Sequence, residues 1–257
     1  MAWVETVAPS FSARHESADA DAAAAVLAEL ERFRERVAAL FPVLPERATA
    51  VLHPGWWHLA LAHPWLPIAR RLAAPAARRY FAGWFAHGEI HVLAPAALER
   101  LASKAPGSRE ALELAPLHEY MHLVVAANNP GVPPPFGVRG FGRYLRRAWL
   151  VEGAATWFAG QVPHLRVAVA RRLREGGRPS FPPSARDAIV LGGTVYALLD
   201  VQAGPQGCVA LATSPPGEDV RTAIERTFEL PFDEVEAAWR EHLAGYGGGA
   251  PRRRGRR

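Results

Sequence analysis

The chain has 257 residues, 49% hydrophobic and 21% charged, which is typical of a globular protein long enough to bury a substantial core. Its one cysteine, Cys208, excludes an internal disulfide framework, so nothing favours an oxidising compartment. The formal net charge is +5, but five arginines lie in the last six residues, and the remainder is close to neutral.

Neither end of the chain nor its apolar stretches predict a membrane protein. The N-terminal residues MAWVETVAPSFSARH have no basic region followed by an apolar run, so we expect no signal peptide. The longest apolar stretch, AIVLGGTVYALL, is short for a membrane span and is interrupted by glycines. We therefore expect a cytoplasmic protein with no membrane partner.

The first part of the chain predicts strands around one long helix. Residues 3–14 are expected to form a strand, and residues 19–41 carry an apolar residue at steps of three and four, which predicts an amphipathic helix. Residues 47–53 predict a second strand. Residues 88–95, GEIHVLAP, alternate in polarity and end at a proline, which suits an edge strand.

The segment between these strands, residues 53–85, is rich in Pro, Trp and His and has no clear period. It contains His53, His58 and His63, whose five-residue spacing puts no two on one helical face. We expect a hydrophobic cap over the core, or a wall of a cleft, rather than a metal site. His91 in the following strand is expected to be solvated.

From residue 96 onwards the sequence predicts mainly helices. The loop GVPPPFGVRG, residues 131–140, separates two groups of them. The expected helices lie near residues 116–127, 141–160, 164–175, 185–201, 218–228 and 233–244.

A metal motif lies on the first of these helices. His118 and His122 are four residues apart, so a helix places both imidazoles on one face, about 5–6 Å apart at Cβ. That distance suits two ligands of one zinc ion, and Glu119 could take a proton from a water at the metal. The alternative is two hydrogen-bonded histidines with no metal.

A third ligand would decide between these readings. A metzincin pattern needs glycine and histidine at the positions of Val125 and Asn128, so it fails. Glu152 lies within the apolar segment WLVEGAATWF, and a carboxylate in such surroundings is costly unless it is paired or binds a metal. The alternative is a glutamate on the exposed side of a helix.

The motif LHEYMH followed by WLVEGAATWF resembles the gluzincins, which share HExxH and W-L-x-E-G-x-A on the next helix. The aminopeptidase-N-like and thermolysin-like enzymes have this pattern, and the likeness is closer to the peptidase MA-like group. The segments GGTVYALLD and FDEVEAAWREHL extend the resemblance over roughly residues 5–245. They are weaker matches than the two metal motifs.

The resemblance implies an α+β, zincin-like fold. An N-terminal lobe with a small mixed β-sheet and a helix would face an all-helical C-terminal lobe across an active-site cleft. Residues 1–246 would form one catalytic domain, with lobes of about 1–127 and 128–246. Residues 247–257 would be a disordered Gly/Arg-rich tail.

The resemblance also implies the chemistry. His118, His122 and Glu152 match the Zn²⁺ ligands and Glu119 matches the general base, which implies a zinc-dependent metallopeptidase that hydrolyses peptide bonds by Glu-assisted attack of a zinc-bound water. The alternative is a zinc-binding domain that is non-proteolytic or hydrolyses another amide. The strand at 88–95 would hold an extended substrate by strand addition.

Two features depart from the family pattern. No glycine-rich exopeptidase motif precedes the metal helix, which leaves endo- against exopeptidase action open. The transition-state stabiliser is also open, with Tyr196 and His164 as candidates. The partner expected is a peptide or protein substrate; nucleic acid is not expected beyond a weak contact of the arginine tail, and the oligomeric state is open.

Overall fold

A computed structural model describes residues 2–86, 88–131, 138–215 and 217–246, with Val138 described by its backbone alone. In these ranges the chain forms a five-stranded mixed sheet and eleven α-helices, which confirms the α+β class. The tail at 247–257 and most of the loop expected at 131–140 lie outside the described residues.

The sheet has strand order β1-β2-β3-β5-β4. The two central pairings, β2 with β3 and β3 with β5, are parallel, whereas both outer pairings are antiparallel. The strand expected over residues 3–14 is a hairpin of two strands. The strands are β1 Trp3–Val7, β2 Phe11–Glu16, β3 Ala48–His53, β4 Gly83–Phe85 and β5 Glu89–Leu93.

The prediction of an edge strand at residues 88–95 is wrong. β5 pairs with β3 on one side and with β4 on the other, so it is an interior strand. β4 forms that edge of the sheet in the described part of the chain. It was not predicted because three residues, Gly83–Phe85, are too few for an alternating pattern to be visible.

Helices make up most of the remaining structure, and eight of the eleven follow the last strand. Short 3₁₀ turns cover Ser17–Asp19, Arg78–Tyr80 and Val162–Leu165. The helices are α1 Ala20–Ala38, α2 Trp56–Ala62, α3 Trp65–Leu72, α4 Pro95–Leu101, α5 Ser108–Glu113, α6 Ala115–Asn128, α7 Val138–Phe158, α8 Arg166–Arg174, α9 Ala188–Ala212, α10 Val220–Phe228 and α11 Phe232–Ala244.

The helix that carries the HExxH motif, α6, lies in the centre of the protein. Every residue from Ala115 to Val125 is buried, because α6 contacts α1, β4 and β5 as well as α7. Pro116 is tolerated since the first turn of a helix needs no backbone donor there. The predicted helix at 116–127 is confirmed, and its polar side chains are forced into the core.

Two glycines bring α7 and α9 close together beside Glu152. A Cβ on Gly153 would lie 2.7 Å from the backbone of Gly192, and one on Gly192 would lie 2.7 Å from the carbonyl oxygen of Trp149. Any larger residue at either position would push the two helices apart. Gly153, which follows Glu152, therefore allows α7 to lie close against α9 and so sets the position of this carboxylate.

The helix α9 is longer than the predicted 185–201. It continues to Ala212 through a non-helical Gly204 with φ 67° and ψ −174°. By length and composition it could cross a membrane, but half of its most apolar window is buried inside the protein. That burial fits a core helix, packed between α7, α10 and α11.

Candidate metal centre

The structure brings together the three side chains that the motifs single out as ligands. His118 and His122 extend from one face of α6, and Glu152 reaches them from α7. Within the described ranges they are the one group of three His, Cys, Asp or Glu residues whose ligand atoms all lie within 4.8 Å of one another. All three are buried, at 8%, 2% and 5% exposure.

The carboxylate of Glu152 lies between the two imidazoles. Its Oε2 is 3.2 Å from Nε2 of His118, and its Oε1 is 3.6 Å from Nε2 of His122. Both histidines thus direct the same ring nitrogen, Nε2, towards one carboxylate. An exposed helix glutamate, the alternative considered for Glu152, is ruled out.

A glutamine fixes the tautomer of His118. Oε1 of Gln161 accepts a hydrogen bond from Nδ1 of His118 at 2.7 Å, and Nε2 of Gln161 donates to the carbonyl oxygen of Ala111 at 2.7 Å. Because the Ala111 contact requires the amide nitrogen, the amide oxygen must face His118. Nδ1 therefore carries hydrogen, and Nε2 is the nitrogen left to bind either a proton or a cation.

Glu119 lies beside the three ligands without joining them. Its Oε2 is 4.0 Å from Nε2 of His122, and the residue is 7% exposed. The edge strand β4 passes directly over it: a Cβ on Gly83 would lie 2.5 Å from Oε1 of Glu119. Glycine is thus required in β4 for the carboxyl group of Glu119 to fit.

Tyr144 is a further polar group of the site that sequence reasoning missed. It is buried, and its hydroxyl donates a hydrogen bond to Oε1 of Glu152. Tyr144 lies eight residues before Glu152 on α7, and the non-helical residue Arg147 lies between them. Because the helix is interrupted at Arg147 between the two residues, their spacing gave no reliable signal for this contact.

Burial and mutual charge set the protonation of these groups. Burial opposes the charged form of His118, but its hydrogen bond to Glu152 and the charge of that carboxylate together raise the pKa of His118. Burial favours the neutral form of Glu152, but His122, His118 and Tyr144 stabilise its carboxylate and hold its pKa at about 2. In contrast, burial raises the pKa of Glu119 to about 8 and lowers that of His122 to about 3.

The site encloses little space. A cavity of about 30 Å³ is lined by the four motif residues and by side chains of β4, α5 and α7. A buried water needs about 10–15 Å³ of such free space, so the cavity has room for a water and a cation but not for a peptide. Trp84 and Tyr144, with ring centroids 6.1 Å apart, are among the residues that close it.

A second cluster of histidines lies around the other face of β5. Nε2 of His53 is 3.0 Å from Nδ1 of His91, whose Nε2 is 3.2 Å from Oε2 of Glu89. The ring of His63 lies 4.1 Å from that of His91. The expectations of a purely hydrophobic cap and of a solvated His91 are therefore wrong, since His53 and His91 are 6% and 8% exposed.

The two candidates for a transition-state stabiliser are not brought to the cavity. Tyr196 is fully buried, and its hydroxyl donates to the carbonyl oxygen of Leu150 at 3.1 Å. His164 lies in the 3₁₀ turn after α7 and is not among the residues that line the cavity. Tyr80 and Tyr144 are the tyrosines that line it, and the hydroxyl of Tyr144 contacts Glu152.

Comparisons with family models, with curated proteins and with solved structures find no match for this chain. Its function is therefore inferred from the residues of the site.

Proposed function

We propose that this protein is a zinc-dependent hydrolase of amide bonds, with peptides as its substrate class. The observation that carries the proposal is the convergence of His118, His122 and Glu152, with Glu119 adjacent and outside the ligand set. Two ordinary core histidines do not require a buried carboxylate between them. Each buried charge costs free energy, and a bound cation would offset that cost.

The donor set suits zinc. Two imidazole nitrogens and one carboxylate oxygen are a common ligand set of catalytic zinc, and three protein ligands leave a position open. The orientation of His118 by Gln161 supports this assignment, because it directs the Nε2 lone pair of His118 inwards. When bound, Zn²⁺ would act as a Lewis acid and lower the pKa of a coordinated water to about 7.

Glu119 is the proposed general base. Its carboxyl group lies beside the ligands in a buried site, where it could accept a proton from the nucleophile and return it to the leaving nitrogen. In the metal-free site burial raises its pKa to about 8, and the charge of a bound cation would lower it towards the range of a base at neutral pH.

Tyr144 takes the place that sequence reasoning offered to Tyr196 or His164. A hydroxyl donor at the cavity wall could stabilise negative charge that develops on a substrate oxygen. In this state the hydroxyl is directed at Glu152, so it would have to turn from that carboxylate towards the substrate.

The edge strand supports peptides as the substrate class. Strand addition to a free sheet edge was expected at residues 88–95, but the edge is β4, whose Gly83 contacts Glu119. Gly83, Trp84 and Phe85 are all buried, so a peptide could add to this edge, beside the proposed base, only after the residues that cover it move aside. The zincin-like arrangement, with a cleft between residues 1–127 and 128–246, belongs to this same proposal.

One observation favours the second candidate, a zinc-binding domain that is non-proteolytic or hydrolyses another amide. The cavity of about 30 Å³ is too small for a peptide, so peptide hydrolysis requires the wall of Trp84 and Tyr144 to move. A small amide would require less displacement. Both candidates share the metal and the base, and they differ only in the access to the site.

The test combines Glu119→Gln with metal analysis and two substrate panels, a peptide library and a set of small amides. We expect wild-type and Glu119→Gln proteins to hold one zinc each. Hydrolysis by Glu119→Gln should fall by at least about 10²–10⁴-fold, because glutamine keeps the shape and loses the base. A zinc-loaded Glu119→Gln protein with wild-type activity would contradict the mechanism.

The same panels separate the two candidates. Peptide cleavage by the wild type supports the peptidase, whereas cleavage of small amides alone, or no cleavage by a zinc-loaded protein, supports the second candidate. Tyr144→Phe should lower kcat by about 10²-fold at saturating zinc. Tyr196→Phe removes a buried hydroxyl outside the cavity and is the matched control.

A further inference from the structure

The corner formed by α2 and α3, residues 56–72, presents apolar side chains to solvent. Trp57 and Leu61 on α2 are 75% and 82% exposed, and Ile68 and Leu72 on α3 are 44% and 50% exposed. Each pair is four residues apart, so it lies on one face of its helix. Ten large hydrophobic residues are at least 38% exposed in the described chain, and four of them fall in these two short helices, so the exposure is concentrated.

The same part of the chain carries positive charge without counter-charge. Between Glu46 and Glu89 the sequence has five arginines and no Asp or Glu. Four of these arginines, at positions 70, 71, 78 and 79, lie on α3 or just after it. None of the four forms an ion pair within the described ranges, which include every Asp and Glu of the chain. Elsewhere the described chain has both paired arginines, such as Arg109 and Arg226, and exposed arginines with no ion pair, such as Arg143 and Arg146. The corner is distinguished by unpaired arginines that lie in the same two-helix segment as exposed apolar side chains.

The arginines of the corner contact one another's backbone instead of carboxylates. Nε of Arg70 donates to the carbonyl oxygen of Arg78 at 3.0 Å, and Nη2 of Arg78 donates to that of Arg71 at 3.4 Å. The guanidinium of Arg70 lies over the ring of Trp56, 4.7 Å from its centroid. Burial and the charge of Arg78 lower the pKa of Arg70, so like charges are held close together. An anion placed here would relieve that repulsion.

We infer that the α2–α3 corner docks on the surface of an anionic lipid bilayer. Protruding Trp and Leu side chains partition into the interfacial layer, and the arginines beside them meet lipid phosphates. A side chain 82% exposed, such as Leu61, enters fluid lipid without needing a complementary pocket. The sequence expectation of no membrane partner considered spanning segments, whereas peripheral docking needs none. The inference is independent of the proposed function.

The experiment is co-sedimentation of the full chain with vesicles of phosphatidylcholine, alone or with phosphatidylglycerol. We expect binding to the anionic vesicles, weakened by added salt. Arg71→Gln with Arg79→Gln should weaken it roughly 10–30-fold. Arg32→Gln with Arg36→Gln removes the same charge from α1, where both arginines contact Glu29, and is the control. The terminal arginine tail is identical in all variants and cannot account for a difference.

The apolar contribution is tested in the same assay. Leu61→Ser with Leu72→Ser should weaken binding roughly 10-fold or more, because two side chains no longer leave water. Val43→Ser with Val201→Ser, at sites 50% and 83% exposed outside the corner, should leave it unchanged. The inference is overturned if the corner variants bind like their controls or if neutral vesicles bind equally well. It is also overturned if the wild type binds neither kind of vesicle. If the Leu variants then change the molecular mass in solution, the corner is a contact with a protein partner instead.

Discussion

Two clusters of buried histidines lie on opposite faces of β5, and they differ in how their ring nitrogens are used. In the first, His118 and His122 direct Nε2 towards one carboxylate. In the second, His53 and His91 are hydrogen-bonded to each other, and the carboxylate of Glu89 contacts only the far nitrogen of His91. Burial of imidazoles is thus common to both, while convergence on one point belongs to the first alone.

The clusters also differ in the groups that hold them. Gln161 fixes the tautomer of His118, and no side-chain amide holds a histidine of the second cluster among the described residues. Nε2 of His63 is buried with no hydrogen-bond partner in that part of the chain, as is Nδ1 of His122 in the first cluster. The comparison indicates that a metal centre is recognised by oriented lone pairs and a shared carboxylate, and that histidine density is a poor guide. Four experiments test this difference, in order of expected effect.

The largest effect is expected from Glu152→Gln. The substitution keeps the shape of the side chain but removes the charged ligand, so zinc affinity should fall by more than about 100-fold. His63→Leu removes a ring of the second cluster and should leave zinc content unchanged. Competition with a chromophoric chelator measures both. Equal loss of zinc in the two variants would contradict the distinction between the clusters.

Gln161→Leu should have the next largest effect. Loss of the acceptor for Nδ1 of His118 leaves the ring free to turn or to change tautomer, and such changes typically cost 10–100-fold in metal affinity. The ¹⁵N NMR signals of His118 should report the altered tautomer. Gln202→Leu is the control, because this amide also donates to a backbone carbonyl, that of Phe228, far from the metal residues. Equal zinc affinity in Gln161→Leu and the wild type would contradict the role of Gln161.

The second cluster predicts a pH dependence of stability. Burial, together with the charges of the neighbouring histidines, lowers the pKa of His53 to about 4 and that of His91 to about 3. Their ordinary value in an unfolded chain is about 6.5, so the unfolded state binds more protons as the pH falls. The free energy of unfolding therefore has its full contribution from these two neutral histidines above about pH 6.5, and it loses that contribution progressively from there towards pH 3–4.

Urea unfolding of the metal-free protein across this range measures that loss. His53→Gln with His91→Gln should reduce the slope of unfolding free energy against pH, whatever the substitution does to the baseline stability. His58→Gln is the control and should change the slope much less, because that histidine is exposed and its charge is the smallest of the causes that lower the pKa of His53. An unchanged slope in the double variant would show that other groups cause the acid sensitivity.

The smallest effect is expected from Gly83→Ala. The new methyl group would meet Oε1 of Glu119 at 2.5 Å and displace it, so hydrolysis should fall while zinc remains bound. Gly142→Ala places a Cβ 3.9 Å from its nearest neighbour and should preserve activity. Full activity in Gly83→Ala would mean that β4 shifts easily to accommodate the methyl group and that the position of Glu119 is not critical.

The sequence predicted the features that depend on local geometry. A helix makes His118 and His122 neighbours whatever surrounds it, and the apolar residues around Glu152 indicated that it was buried. The pairing of His53 with His91, the order of β5 and β4, and the contact of Gln161 with His118 depend on long-range packing. One chain read by itself contains no signal for these contacts, so β5 was taken for the edge and the second cluster for a hydrophobic cap.

The closed cavity has a kinetic consequence. With the three ligand residues at 8% exposure or less, an ion could enter or leave only when Tyr144, Trp84 or their neighbours move aside. The rate of metal exchange would then be set by the opening of the protein and not by the breaking of coordination bonds. Such a protein would acquire its ion most readily during folding, and a chelator added later would remove it slowly even when equilibrium favours removal.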